Sequence, residues 1–444
     1  MNNRQFNLEL PVIEQSNILY QRATGLIPAY TQTLAKGPTQ HVNGVMPKYL
    51  RRGHGARVWD VDGNEYLDFQ MAIGPLSLGY AYPAVDQAIR DQLEDGITFS
   101  LMHPLEVEVA ELIRSVVPNV ESVRYSKTGA DVTSAAVRLA RAFTGREKVL
   151  CCGYHGWHDW YIGVTDRNSG IPGSVRELSY TIDYNNLEHA ERSIDSDTAA
   201  VILEPMVFEE PKEGFLEGLR EICTRKGVLL IFDEMWTGFR IALGGAQQRF
   251  GVRADLVTFS KAIANGMPLS VLAGRQDVMK LLEEQVFFFT TFGGEALSLA
   301  AAKATIHELG FNQVPAHLAR LGQMLKNSYN QMASELNISY TKAIGMDART
   351  MITFDGSVGN PLEMKSFVQQ ELCRRNILWS GFHNLSYSHK ITDIQFILKA
   401  YGEILPMLDH HIKKGDLRSQ IHGEVVAPVF RRTTQFNVKP GDRK

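Results

Sequence analysis

Apolar residues recur along this chain with two different periods, and the switch between them divides it into parts. A helical stretch over Ile13 to Thr24 gives way to a segment rich in Gly, Pro, Thr and Gln that runs to about residue 55, an irregular arm. The runs ARVWD and EYLDF then alternate with period two around Val61-Asp62-Gly63-Asn64, which predicts a hairpin turning on the Asp-Gly pair. From residue 80 to about 310, stripes at helical spacing, such as Leu105, Val109, Leu112, Ile113 and Val116, are separated by short apolar runs: KVLCC, AAVILEP, GVLLIFDE, DLVTFS and LSVLAG. One further helix places Val132, Ala136, Leu139 and Phe143 on a single face. Strands this short and this apolar, alternating with helices, predict a parallel or mostly parallel sheet covered on both faces. Beyond residue 312, a helix from Val314 to Leu336, a Thr350–Phe354 strand and helices over Leu362–Asn376 and Thr392–Lys413 predict a smaller α+β domain. The expected organisation is residues 1–75 as an arm and hairpin packing on the small domain, 76–311 as a large α/β domain, and 312–444 as the small domain with a basic, solvated tail (Arg431, Arg432, Lys439, Arg443, Lys444).

Composition narrows the function more than the fold. The 444 residues suffice for two to four domains, and 46 Lys and Arg against 49 Asp and Glu leave a net charge of −3, which implies neither nucleic acid nor an anionic membrane as partner. A run of about 18 apolar residues is lacking, and the polar start Met1-Asn2-Asn3-Arg4-Gln5 has no signal-peptide core, so the expected compartment is the cytoplasm. The four cysteines form no CxxC pair and are expected as reduced thiols. Neither a GxxxxGK[ST] phosphate loop nor a GxGxxG fingerprint occurs. Asp60-x-Asp62-Gly63-Asn64 resembles the start of a calcium loop, but Glu65 and Met71 stand where that loop needs Gly and Glu, so the string is expected to be a turn.

Each apolar run ends in residues that a core would not choose. KVLCC leads into Gly153-Tyr154-His155-Gly156, AAVILEP ends with Glu204, GVLLIFDE ends with Asp233 and Glu234, and DLVTFS leads into Ser260-Lys261. The carboxyl ends of parallel strands line the ligand crevice of an open sheet, so these groups are expected to converge. For each alone a helix cap, an ion pair or a solvated surface is the commoner explanation. Together they say more, because the charge of Asp233 behind a fully apolar strand requires a partner. Lys261, just past a buried strand and just before Asn265-Gly266-Met267-Pro268, is placed where desolvation would keep its amine neutral enough to attack a carbonyl. Thr128-Gly129-Ala130, opening a helix, offers free N–H groups and the positive end of a dipole to a phosphate dianion. His155 and His158 have a spacing that could serve a metal, but a third ligand is lacking nearby and no metal is expected.

A phosphate cradle, an aromatic residue, an acid and a lysine, in that order, are the parts needed to hold pyridoxal 5′-phosphate. The chain resembles the class III aminotransferases of PLP fold type I, most closely the branch containing glutamate-1-semialdehyde 2,1-aminomutase. The motifs WDVDGNEYLDF, GYAYPAV, YSKTGAD, YHGWHDW, LEP, FDEMWTGFR, SKAIANGMP and TTFGGEALSLAA carry the resemblance over about residues 20 to 410. It implies that Lys261 bonds the cofactor and shuttles protons, that Asp233 pairs with the pyridine nitrogen, and that Tyr154 and Met235 flank the ring. It further implies that Thr128, Gly129 and Ala130 hold the phosphate, with Glu204 and His155 near the cofactor but assigned no step. Thr291 would reach the phosphate from the neighbouring subunit, making the enzyme a homodimer with two shared sites.

Four departures from the family pattern bear on the substrate. The usual Ser-Gly-Thr-Glu-Ala turn is Thr128-Gly129-Ala130-Asp131-Val132, Trp236 follows Met235, and Gly294-Glu295-Ala296 replaces Gly-Asn-Pro. The aminomutase's PGGVNSPVR segment, whose final Arg grips a substrate carboxylate, reads PAYTQTLAK and ends in Lys36, which lacks the bidentate fork of Arg. The resemblance therefore implies a PLP-dependent transaminase moving an amino group from a donor to a carbonyl of a small metabolite or sugar-like acceptor, as in cell-surface polysaccharide synthesis. The intramolecular aminomutase is the alternative, and a catalytically silent PLP-fold protein is disfavoured because lysine, acid and phosphate turn are all present.

Overall fold

The computed structural model describes residue 6 and residues 8–206 and 208–428; the basic tail from Arg431 onward and the polar start Met1–Gln5 lie outside them. The chain divides into two units, one over Pro83–Ala316 and one formed by the residues up to Tyr82 together with those from His317.

The Pro83–Ala316 unit is built on seven strands: β1 (Ser122–Ser126), β2 (Lys148–Cys152), β3 (Ser179–Thr181), β4 (Thr198–Leu203), β5 (Leu229–Asp233), β6 (Leu256–Phe259) and β7 (Ser270–Gly274). They lie in the order β1-β7-β6-β5-β4-β2-β3. Strands β4, β5 and β6 are buried along their whole length, as expected for a sheet covered on both faces. All neighbours are parallel except around β7, which runs antiparallel to both β6 and β1. The LSVLAG run reverses because the connection from β6, residues 260–269, falls short of the crossover of about a dozen residues that a parallel return needs.

The helix Gly129–Thr144 starts at a capping box in which Thr128 and Asp131 exchange side-chain-to-backbone bonds, and it ends at Gly145 in the left-handed region. Its Val132, Ala136, Leu139 and Ala140 pack onto Val149, Ala200, Ile202 and Ile231 of the sheet. Phe143 does not continue that stripe as the period predicts. It is 39% exposed, and the Arg275 guanidinium lies 5.6 Å from its ring, a cation–π contact in place of burial in the core.

In the other unit, strand Arg57–Asp60 pairs antiparallel with Glu65–Asp68. The string between them is a turn held by Asp60, whose Oδ1 accepts from the Asp62 N–H at 3.0 Å and the Asn64 N–H at 2.8 Å. Leu50–His54 and Ile377–Leu378 complete this sheet, and Thr341–Met346, Arg349–Phe354 and Phe382–Asn384 form a second one beside helices Pro361–Arg374 and Ile391–Lys414. Among the described residues no helix is long and apolar enough to cross a membrane.

Candidate functional site

The sheet order decides which side chains meet. Strands β2, β4, β5 and β6 are adjacent and parallel, so the residues just past each of them fall at one edge: Tyr154 and His155 after β2, Glu204 after β4, Asp233 at the end of β5, Lys261 after β6. Strand β1 runs in the same direction beyond β7 and delivers Thr128 to that edge.

Asp233 is the electrostatic centre. Its carboxylate is fully enclosed; Oδ2 accepts from His155 Nδ1 at 2.7 Å and Oδ1 from the Met235 N–H at 3.1 Å. A carboxylate only accepts, so this contact puts the imidazole proton on Nδ1. His155 is equally buried, and its Nε2 has no hydrogen-bond partner among the described residues. A buried anion held by one imidazole and one amide retains capacity to pair with a further cation. Glu234, next in sequence, goes elsewhere: it accepts from Thr237 Oγ1 at 2.9 Å and from the Gln247 N–H at 3.4 Å, and burial pushes its carboxyl up to about 7. It holds the loop that follows, and the neighbouring charge of Asp233 adds a little to the upward push.

Close approaches join the helix start to this centre. A Cβ at Gly129 would lie 2.9 Å from Met235 Sδ, so the Thr128-Gly129-Ala130 turn and Met235 are immediate neighbours. A Cβ at Gly156 would fall 2.7 Å from that of Ala130, and Thr133 Oγ1 donates to the His155 carbonyl at 2.7 Å. The Gly129 and Ala130 N–H groups belong to the first helical turn and have no intrahelical acceptor. Glu204 Oε2 accepts from the Tyr154 N–H at 2.9 Å, fixing the backbone behind a ring that is 37% exposed.

Lys261 follows Ser260 at a left-handed φ of 45°, a region costly for a residue with a Cβ and often found where function fixes the backbone. Its Nζ stands 4.6 Å from the centroid of the Trp236 ring. Trp236, one of the departures from the family pattern that bear on the substrate, thus lies against the lysine, with the Arg240 guanidinium 5.8 Å from the same ring. Arg240 is fully buried, and burial pushes it down to about 10. Sequence reasoning passed over it, although its position four residues after Trp236 in FDEMWTGFR was the available signal.

Thr291 sits exposed on the loop before helix Ala296–Phe311. The unusual Glu295 has a clear task there: it caps that helix through the Leu297 and Ser298 N–H groups and pairs with Lys127 at 2.7 Å. Burial opposes its ionisation, but the bonds from Lys127 and Ser298 prevail and hold the carboxyl below its usual range. The loop is thereby tied to the residue preceding the Thr128 turn. Lys36 belongs to the other unit, where it ends the short turn Leu34–Lys36, exposed. The described residues contain no group of three or more His, Cys, Asp or Glu that could hold a metal ion.

These features fit pyridoxal 5′-phosphate. An enclosed carboxylate suits the pyridine nitrogen, and a helix start with free N–H groups suits the phosphate.

The family profile described as aminotransferase class-III matches residues 39–346. The chain is 33% identical over 407 residues to the 3-aminobutyryl-CoA aminotransferase of Cloacimonas acidaminovorans, covering 88% of this chain and 97% of the relative. It is 35% identical over 350 residues to the glutamate-1-semialdehyde 2,1-aminomutase of Methanothrix thermoacetophila, covering 74% and 80%. Among solved structures, FumI of Sphingopyxis sp. MTA144 in its PLP internal aldimine form superposes with a TM-score of 0.83 at 26% identity, covering 90% of this chain and 97% of that one.

Proposed function

The chain belongs to the class-III aminotransferases, with pyridoxal 5′-phosphate as its cofactor, and on that premise we propose that it transfers an amino group between two separate substrates. The acceptor is a carbonyl of a small metabolite or sugar-like compound of the kind consumed in cell-surface polysaccharide synthesis. The observation that carries the two-substrate reading is Lys36, where the aminomutase pattern has a carboxylate-gripping Arg. Loss of that bidentate pair weakens capture of an amino-aldehyde acid by about a kcal/mol or more. The Methanothrix relative favours the second reading, an intramolecular aminomutase.

When bound, the cofactor supplies an electrophilic carbon and a ring that accepts the charge left as the C–H bond beside the amino group breaks. The protein's own groups do the rest. Lys261 Nζ would hold the cofactor at rest, and the same amine would serve as the base that carries the substrate's proton. Asp233 would pair with the ring nitrogen and favour its protonated form, and the Nδ1–H of His155 holds that carboxylate in place. The Thr128 hydroxyl and the Gly129 and Ala130 N–H groups hold the phosphate. Tyr154 and Met235 would flank the ring, Glu204 steadies the Tyr154 backbone, and Trp236, beside the lysine, would shape the substrate side.

Thr291 of the partner subunit completes the phosphate site. Phe287, Phe289 and Phe292 around it are 70%, 63% and 58% exposed, which supports burial of this loop against a second copy. Mixing Lys261→Ala with Thr291→Ala subunits is then expected to restore one good site per mixed dimer, about a quarter of wild-type activity at random pairing. Activity no higher than that of the parents places Thr291 in its own subunit's site.

The substrate reading is tested by mixing the holoenzyme with single amino donors. The expected result is stoichiometric release of a keto acid, with conversion of the cofactor to its amine form, before any acceptor is added. Rapid isomerisation of glutamate 1-semialdehyde with no such half-reaction promotes the aminomutase instead.

A further inference from the structure

The unit that contains Lys36 holds a cavity of about 520 Å³, within the range of about 300–1,000 Å³ typical of small-molecule sites. Four cationic residues are in its lining: Lys36, Lys48, Arg51 and Arg52. Among the described residues no ion pair joins any of them to a carboxylate; Lys48 Nζ instead donates to Asn17 Oδ1 at 2.9 Å, and the Arg52 guanidinium lies 4.5 Å from the centroid of the Trp59 ring. The carboxylate in the lining is that of Asp68, and it is already engaged. It accepts from the Tyr80 hydroxyl at 2.8 Å, the Gln70 N–H at 2.7 Å and the Met71 N–H at 3.2 Å. Lys48 feels the charge of Glu424 but forms no ion pair with it, so cationic residues outnumber the carboxylate in the lining.

Two backbone features build this arrangement. Successive residues of a regular strand face opposite ways, yet Arg51 and Arg52 both line the cavity. The pairing of Leu50–His54 with Arg57–Asp60 slips register between Leu50 and Arg52, and such an irregularity re-aims a side chain. Also in the lining, Tyr30, Ala72 and Ile73 adopt left-handed φ values of 62°, 52° and 68°. A β-branched residue holds that conformation only under constraint, and such constraint clusters at ligand sites. Tyr20 and Tyr30, with ring centroids 4.3 Å apart, add an aromatic surface.

We propose that this cavity binds the anionic end of a phosphorylated or diphosphate-linked carbonyl compound, and that this compound is the acceptor. Assignment to the acceptor rests on the two-substrate reading and on Lys36; the anion site stands on the cavity alone. A single carboxylate brings one charge, whereas a phosphate monoester brings nearly two and a diphosphate more, which suits paired guanidiniums flanked by two ammonium groups. The volume and the tyrosine pair leave room for an organic body beyond the charged end.

The test is calorimetric titration of the holoenzyme, in which the cofactor's own phosphate fills the Thr128 turn, with inorganic pyrophosphate and separately with acetate. Pyrophosphate is expected to bind, acetate to bind far more weakly, and Arg51→Gln with Arg52→Gln to weaken pyrophosphate by about tenfold or more. Arg51→Gln alone spares the Arg52–Trp59 stack and keeps the comparison readable should the double variant unfold. Absence of pyrophosphate binding, equal binding of acetate, or unchanged affinity in folded variants overturns the proposal. Keto-acid release by the wild-type enzyme without pyrophosphate binding defeats the cavity assignment and leaves the two-substrate reading standing; the reverse pattern defeats the latter.

Discussion

Lys261→Ala is expected to lower turnover by about 10⁴-fold or more, since the proposed mechanism gives both the covalent hold on the cofactor and the proton shuttle to one amine. The fold is expected to survive. Alanine at 261 inherits the same left-handed φ of 45°, and the side chain removed is partly exposed rather than part of the core. A melting temperature within a few degrees of wild type, beside a turnover near background, checks both halves of this expectation. Turnover within about tenfold of wild type removes Lys261 from the chemistry.

Asp233→Asn has the second largest expected effect. Asparagine keeps the shape, and its one carbonyl oxygen can still accept from His155 Nδ1, as Oδ2 does at 2.7 Å, but its NH2 then faces the Met235 N–H that Oδ1 now accepts at 3.1 Å, so a stability loss of about 1–3 kcal/mol is expected beside the kinetic effect. What disappears is the charge. At about 4 Å and an effective dielectric near 20, a unit pair is worth roughly 4 kcal/mol before desolvation, an upper bound of about 10³-fold on the proton-abstraction step. Single-turnover rates with an amino donor should fall by about 10²- to 10³-fold while the cofactor, still held at the Thr128 turn, remains bound. Near-normal rates separate Asp233 from the mechanism.

The sequence was legible where chemistry sits at the end of a strand. Asp233, Lys261, Glu204 and His155 stand out because each breaks an apolar run, and the parallel order of β2, β4, β5 and β6 then brings them to one edge without further information. Contacts between distant segments left no local mark. The bond between His155 and Asp233 spans 78 positions and the pair between Lys127 and Glu295 spans 168, so Glu295 reads in the sequence only as a departure from Gly-Asn-Pro. The reversal of β7 depends on the length of one connection rather than on any residue of its apolar run. The cavity beside Lys36 was hidden for a different reason: left-handed φ at Ala72 and Ile73 contradicts their local preference and is imposed by the surrounding fold.

The central claim, that Lys261 carries the cofactor beside Asp233, is open to one direct measurement. Borohydride reduction of the holoenzyme makes the bond to the cofactor permanent, and peptide mapping by mass spectrometry locates it. The expected result is a single modified peptide containing Ser260-Lys261-Ala262-Ile263. Modification of Lys127, or of any other lysine in place of Lys261, contradicts it.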